Sequence, residues 1–274
     1  MAEAVYEKIK ELRKQGHSFN EISRIVNYSK THVRRISKGI KFSKEGFNRY
    51  QLKVKGIIKN IKINKNLSRY KVRIITNLIF DGAVYLNNYH YSIMYVNSSK
   101  FLIDEFQDDM FRVYKVKPSS FEVIKGKNQP IYRVKYLSKL IYEDLNSYVP
   151  DYSTHKSKLP LKILINNNYK IIILRSFWEN EGSISKDGRL SADSMNEILI
   201  NQLSRLHNDF GISHKICKYW KNRWAYKLYL HKNMENYSIF NKLKLFDKSI
   251  VTKGAFVGQR KRKVLLDYMK SKIT

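Results

Sequence analysis

Val5, Ile9 and Leu12 recur at helical spacing, and Gly16 closes the stretch, so the chain opens with an amphipathic helix. Ser18 with Glu21 forms an S-x-x-E capping box before a second apolar stripe of Phe19, Ile22 and Val26. After Asn27-Tyr28, Ser29 can cap a third helix, which ends at Gly39 and turns Val33 and Ile36 inward. Residues 40–68 show no period of 3.6 or 2 and read as a basic connector. From residue 69 the pattern becomes regular and then repeats. An apolar helical run, IITNLIFDGAV at 74–84, has the form of LRSFWENEGSI at 174–184, each ending in an acid followed by glycine. After Gly82 come a strand, an Asn-Asn turn and a strand; after Gly182 comes a shorter hairpin turning at Asp187-Gly188. A helix, a second hairpin and a closing helix follow in both copies, with returning strands IYRVKY at 131–136 and AYKLYL at 225–230. The closing helices are expected around 137–147 and 233–244, and the loop GQRKRK at 258–263 leads into a last helix. The unit is αββαββα, written twice, and YVPDYSTHKSKLP at 148–160 joins the copies.

The expected organisation is therefore a small all-α module at 1–40, a linker at 41–68, a first repeat at 69–150, an inter-repeat linker at 151–160 and a second repeat at 161–274. Alternation divides the returning strands into faces. Trp224, Tyr226, Leu228 and Leu230 fall on one side, with Arg223 and Lys227 on the other; Tyr132, Val134 and Tyr136 oppose Arg133 and Lys135. The pattern predicts an α+β fold whose sheets bury one face on helices and offer a basic face outward.

Charge gives that basic face a partner. The chain of 274 residues has 53 Lys+Arg against 23 Asp+Glu, a net +30. Solubility asks for a net charge of only about 2–8 in a small domain, so the excess points to a polyanion, with double-stranded DNA as the first candidate. Residues 1–39 carry nine basic and four acidic side chains, which leaves +25 of the total beyond them. No apolar run is long enough to cross a bilayer, IIIL at 171–174 being typical, so a membrane partner is not expected. The polar start MAEAVYEKIK lacks the apolar stretch of a signal peptide, and a cytoplasmic location is expected. A lone Cys217 excludes a disulfide framework and a cysteine-based zinc site, and reads as a buried thiol. High Lys, Ile, Asn and Tyr usage fits an AT-rich, archaeal genome.

Two resemblances follow from these residues. Residues 1–39 resemble a helix-turn-helix of the resolvase or recombinase type, with 29–38 as recognition helix and Lys30, Thr31, Arg34 and Arg35 facing DNA. LRSFWENEG resembles the LAGLIDADG motif of homing endonucleases, IITNLIFDG being a more divergent first copy; the resemblance spans roughly residues 69–270. It implies two motif helices side by side at the centre of a pseudo-twofold monomer. Thr76 and Ser176 stand at the motif's first glycine, and Asn77 departs from the pattern. It also implies that the terminal acids, Asp81 and Glu181, meet beneath DNA, hold Mg²⁺ or Mn²⁺, and hydrolyse phosphodiester bonds. Two carboxylates facing a polyanion need cations between them for the same electrostatic reason. Glu179 reads as structural, since the first copy has Ile79 there. The family's assisting bases are matched here by Lys186 and Lys261, with Arg260 and Lys158 as further candidates. The chain ends lack splicing residues, so a freestanding, monomeric endonuclease is expected rather than an intein. Two other readings stay open: a transcription regulator that keeps the fold without cleavage, and an RNA-splicing maturase.

Overall fold

A computed structural model describes residues 2–54, 61, 63–87, 90–220 and 222–272. The chain forms two compact units, Met1–Ile61 and Lys62–Thr274.

The first unit holds α1 (Ala2–Lys14), α2 (Phe19–Val26), α3 (Lys30–Ile36) and α4 (Lys44–Val54). Ile9, Ile22 and Val33, one from each of the first three helices, are fully buried and ringed by Val5, Leu12, Phe19, Val26 and Ile36. Both halves of the Ser18–Glu21 capping box are formed, and the Ser29 hydroxyl accepts from the His32 amide. Helix α4 corrects the expectation of a linker through 41–68. Its Phe47 and Tyr50 are exposed, so other contacts seat it. Ser43 caps it at Gly46 N (3.0 Å) and bonds back to the Lys14 carbonyl. The Arg13 guanidinium lies 4.3 Å from both the Phe19 and Phe42 rings. A Cβ on Gly46 would lie 1.8 Å from the Lys14 oxygen, so only glycine allows the two backbones this approach. Residues 55–60 and 62 of that expected linker lie outside the described residues, as does Asn88 of the expected Asn-Asn turn with Tyr89 after it.

The second unit begins before residue 69. Lys71, fully buried, donates to the Asn64 carbonyl and to Asp144 Oδ2, while Tyr148 and Tyr169 hydroxyls hold the carbonyls of Lys65 and Leu67. The first repeat then runs α5 (Arg69–Asp81), β1 (Gly82–Asn87), β2 (His90–Asn97), α6 (Lys100–Tyr114), β3 (Ser120–Ile124), β4 (Ile131–Leu137) and α7 (Lys139–Asn146). After the short α8 (Leu161–Leu164) the second repeat follows: α9 (Asn167–Glu181), β5 (Gly182–Ile184), β6 (Leu190–Ser194), α10 (Glu197–Asp209), β7 (His214–Trp220), β8 (Trp224–Leu230) and α11 (Met234–Lys242). Helix α12 (Lys261–Lys270) ends the unit. The two antiparallel sheets have matching orders, β1-β2-β4-β3 and β5-β6-β8-β7.

One face of each sheet is buried. Ile93, Tyr95, Val134 and Tyr136 lie inward in the first, with Phe106 of α6 stacked 4.6 Å from Tyr95. Ala192, Leu228 and Leu230 do so in the second, where α10 covers them with Leu199, Leu203 and Leu206. The acid-glycine step at each motif end has a steric cause. A Cβ on Gly82 would come 2.6 Å from Leu78 Cα, and one on Gly182 would come 2.4 Å from the Trp178 oxygen. Helix and strand thus join with no spacer residue, which leaves the acid at the junction.

Candidate functional site

Helices α5 and α9 lie side by side, and small polar residues mark the crossing: Thr76 Oγ1 donates to Ser176 Oγ at 2.8 Å. Asn77, the departure from the motif, is buried here and accepts from Asn180 Nδ2 at 3.0 Å. Its polarity is satisfied across the interface, so it costs little.

The last residues of the two helices, Asp81 and Glu181, line one cavity of about 540 Å³ together with Asn97, Asp193, Lys227 and Lys261. Burial pushes the Asp81 carboxyl up to about 6, against the opposing pull of the Lys261 ammonium and the hydrogen bond from Asn97. Glu181 is held well above the usual carboxylate range by burial first, then by Asp81 and Asp193. Burial also lowers Lys261 to about 8, although Glu179, Asp81 and Glu181 favour its charge. Burial thus disfavours the charged forms of both acids and of the lysine beside them.

Glu179 is the scaffold of this pocket. Its Oε1 accepts the amides of Asp247 and Lys248 at 2.6 and 2.7 Å, and its Oε2 accepts that of Ser249 at 2.7 Å. The Ser249 carbonyl in turn accepts the Lys261 amide, and Lys261 Nζ donates to the Glu179 carbonyl at 3.1 Å. Thus Glu179 ties down the loop that delivers Lys261 to the acids. Trp178 beside it is wholly buried, donating Nε1–H to His207 Nε2 at 2.9 Å.

The other basic candidates lie elsewhere. Lys186 is exposed at the β5–β6 turn and does not line the cavity, because β5 is only three residues long and five steps from Glu181 reach the hairpin tip. Lys158 is exposed in the inter-repeat loop, and Arg260 lies 4.6 Å from the Phe101 ring. Arg133, Lys135 and Lys227 occupy the open sheet faces. There Arg133 pairs with Glu122 at 2.6 Å, Lys227 with Asp193 at 3.6 Å, and Lys135 reaches over the Tyr85 ring. Arg223 lies outside the strand. It precedes β8 in the turn and meets His155 Nε2 at 2.5 Å, since the strand starts one residue later. Trp224 is likewise not covered by the core: it is 53% exposed and packs edge-on against Trp220 beyond the helical cover. Cys217 is half-buried opposite Lys227 rather than buried. In the first unit Lys30, Thr31, Arg34 and Arg35 are all exposed on α3.

Sequence reasoning missed Asn97, Asn180 and Asp193. The pairing of Gly82 with Tyr95 and Gly182 with Ala192 folds Asn97 and Asp193 back towards the acids. A hairpin's length carries that information only once its register is known.

The architecture is the two-repeat LAGLIDADG fold. Among solved structures, I-DmoI in complex with DNA and Ca superposes with a TM-score of 0.50 at 18% identity, over 64% of this chain and 88% of that one. Mesophilic variants of the homing endonuclease I-DmoI give 0.50 and 18%, over 64% and 94%. Full-length WhiA from Thermatoga maritima gives 0.49 and 15%, over 81% and 66%. No family model matches the sequence, and no curated protein matches it. No helix among the described residues is long and apolar enough to cross a membrane.

Proposed function

We propose that this chain is a metal-dependent endonuclease that cuts double-stranded DNA at a specific site. The observation that carries the reading is the convergence of Asp81 and Glu181, from the ends of two paired helices, on one cavity that also holds a buried lysine. The donor set fits a hard divalent cation such as Mg²⁺ or Mn²⁺. It offers carboxylate oxygens, and positive charge would offset both the burial that raises Glu181 and the smaller repulsion from Asp81 and Asp193. Among the described residues no cluster of three or more His, Cys, Asp or Glu forms a cage, so water and phosphate oxygens would complete the coordination. A cation held by Asp81 and Glu181 would supply Lewis acidity and neutralise charge at the phosphate. The likeness to I-DmoI, seen with DNA and Ca, supports both ligands.

The remaining roles belong to the chain itself. Lys261, buried and lowered to about 8, places a cation beside the acids and stabilises negative charge developing at the phosphate. Lys135, Lys227 and Arg133 on the open sheet faces meet the duplex, exchanging their surface ion pairs for phosphates and base edges. One chain supplies both acids, so the active species is a monomer. Incubation with a randomised duplex library and Mg²⁺, scored separately for retention and cutting, tests the proposal. Sequence-selective cuts that vanish with EDTA are expected. Retention without cuts at any metal concentration would instead make the chain a DNA-binding regulator.

Residues 1–39 add a second contact, acting as a helix-turn-helix with α3 in the major groove. Arg34→Ala with Arg35→Ala should weaken duplex binding. Each lost phosphate contact should lower the slope of log affinity against log salt by about 0.9. Unchanged affinity and slope in a salt titration would remove α3 from the interface.

A further inference from the structure

Asp81 belongs to the first repeat, but the side chains that orient it lead to the second. Asn97, at the end of β2, donates from Nδ2 to Asp81 Oδ2 at 2.9 Å and to Asn180 Oδ1 at 3.1 Å. Asn180 stands on α9 between Glu179 and Glu181. Its Oδ1 also accepts the Tyr95 hydroxyl at 2.7 Å, and its Nδ2 donates to Asn77 Oδ1 at 3.0 Å and the Ser176 carbonyl at 2.7 Å.

Neither amide can be turned round. Asn97 Oδ1 accepts the Ser99 amide at 2.8 Å, which commits Nδ2 to the acid. Asn180 must direct Nδ2 at a backbone carbonyl, which commits Oδ1 to Asn97 and Tyr95. With two donated and two accepted bonds, the Asn180 amide has its hydrogen-bonding capacity filled. Asn97 is 8% exposed and Tyr95 wholly buried, so water competes little for these bonds.

We propose that Asn180 and Asn97 form a relay that positions Asp81 for metal binding, so that the second repeat's motif helix sets the first repeat's acid. The relay rests on the reading of Asp81 as a metal ligand. Both also line the cavity, but they are assigned as positioning residues because Asn97 bonds the Asp81 carboxylate and Asn180 bonds Asn97.

The test is Mn²⁺ titration of the full chain, followed by electron paramagnetic resonance, with Asn97→Ala, Asn180→Ala, Tyr95→Phe and Asp81→Ala. Asn97→Ala and Asn180→Ala should each weaken Mn²⁺ binding about 10- to 100-fold, the range for partners that orient a ligand. Tyr95→Phe, which deletes one hydroxyl and keeps the ring, should shift affinity in the same direction by less, and it covers the case in which Asn180→Ala fails to fold. In the Asp81→Ala background the Asn97 substitution should do nothing further, because its effect passes through that carboxylate. Lowered melting temperature with Mn²⁺ affinity unchanged would overturn the relay and leave a structural interface. Loss that persists undiminished in the Asp81→Ala background would overturn it as well. A wild-type chain that cuts no duplex but shows the expected Mn²⁺ pattern would support the relay while the endonuclease reading falls.

Discussion

Asp81→Asn and Glu181→Gln should each slow strand cutting by about 1000-fold, the equivalent of several kcal/mol of lost charge stabilisation. Duplex affinity should be kept or rise, because each substitution removes negative charge from beneath a polyanion. A gel-based nicking assay on a selected target, run beside a binding titration, separates the two effects. Full activity in either variant would sink the assignment. The same acids set a pH dependence. Asp81 is raised from 3.8 to about 6, so between these values the native metal-free chain holds a proton that the unfolded chain has lost. That stabilisation is fully present below pH 3.8 and disappears as pH rises through about 6. A cation needs the ionised carboxylate, so metal affinity should rise over the same interval, with proton release on binding. Thermal melts in EDTA and metal titrations between pH 5 and 7 (a range bracketing the value of about 6) should therefore move in opposite directions. In Asp81→Asn this group's contribution to both trends should vanish.

Neighbouring residues of β8 should give opposite phenotypes. Leu228 is fully buried on the helical face, and Leu228→Ala should cost about 2–5 kcal/mol of stability through the cavity it leaves. DNA affinity of the molecules still folded should be unchanged. Lys227 lies on the open face with a half-exposed Asp193 as its ion-pair partner, a contact worth about 0–1 kcal/mol. Lys227→Ala should melt almost like the parent and bind DNA more weakly, with a shallower salt slope. If it contacts a base edge, discrimination there should fall by about 1–3 kcal/mol. A stable Leu228→Ala that binds poorly, beside an unstable Lys227→Ala, would show that the sheet presents its other face to the duplex.

The two acids are legible in the chain because their placement is local. Glycine is needed at 82 and 182 wherever a helix passes straight into a strand, so an acid before such a glycine marks the junction. Helix caps at Ser18 and Ser29, and the alternation of Arg133, Val134, Lys135 and Tyr136, are likewise written within a few residues of one another. The N-terminal triad of Ile9, Ile22 and Val33 follows from helical spacing alone.

What lies between distant segments had no such record. Glu179 stands only two residues before Glu181, yet its carboxylate is taken up by three amides some 70 residues further on. Lys186 is five residues from Glu181 but exposed and outside the cavity lining, whereas Lys261 is eighty residues distant and lies within the cavity, because a loop held by Glu179 carries it there. Helix α4 leaves Phe47 and Tyr50 exposed instead of burying them in a core; the approach of Gly46 to Lys14 and the Arg13 contact with Phe42 hold it in place. Hydrophobic period, caps and steric need at single positions act along the chain, and by themselves they determined the repeat, the elements other than α4 and α8, and the acids at the helix ends. Hydrogen bonds and charge interactions depend on distances across the fold, so only the tertiary structure decided that Lys261, Asn97, Asn180 and a further carboxylate, Asp193, share the site with them.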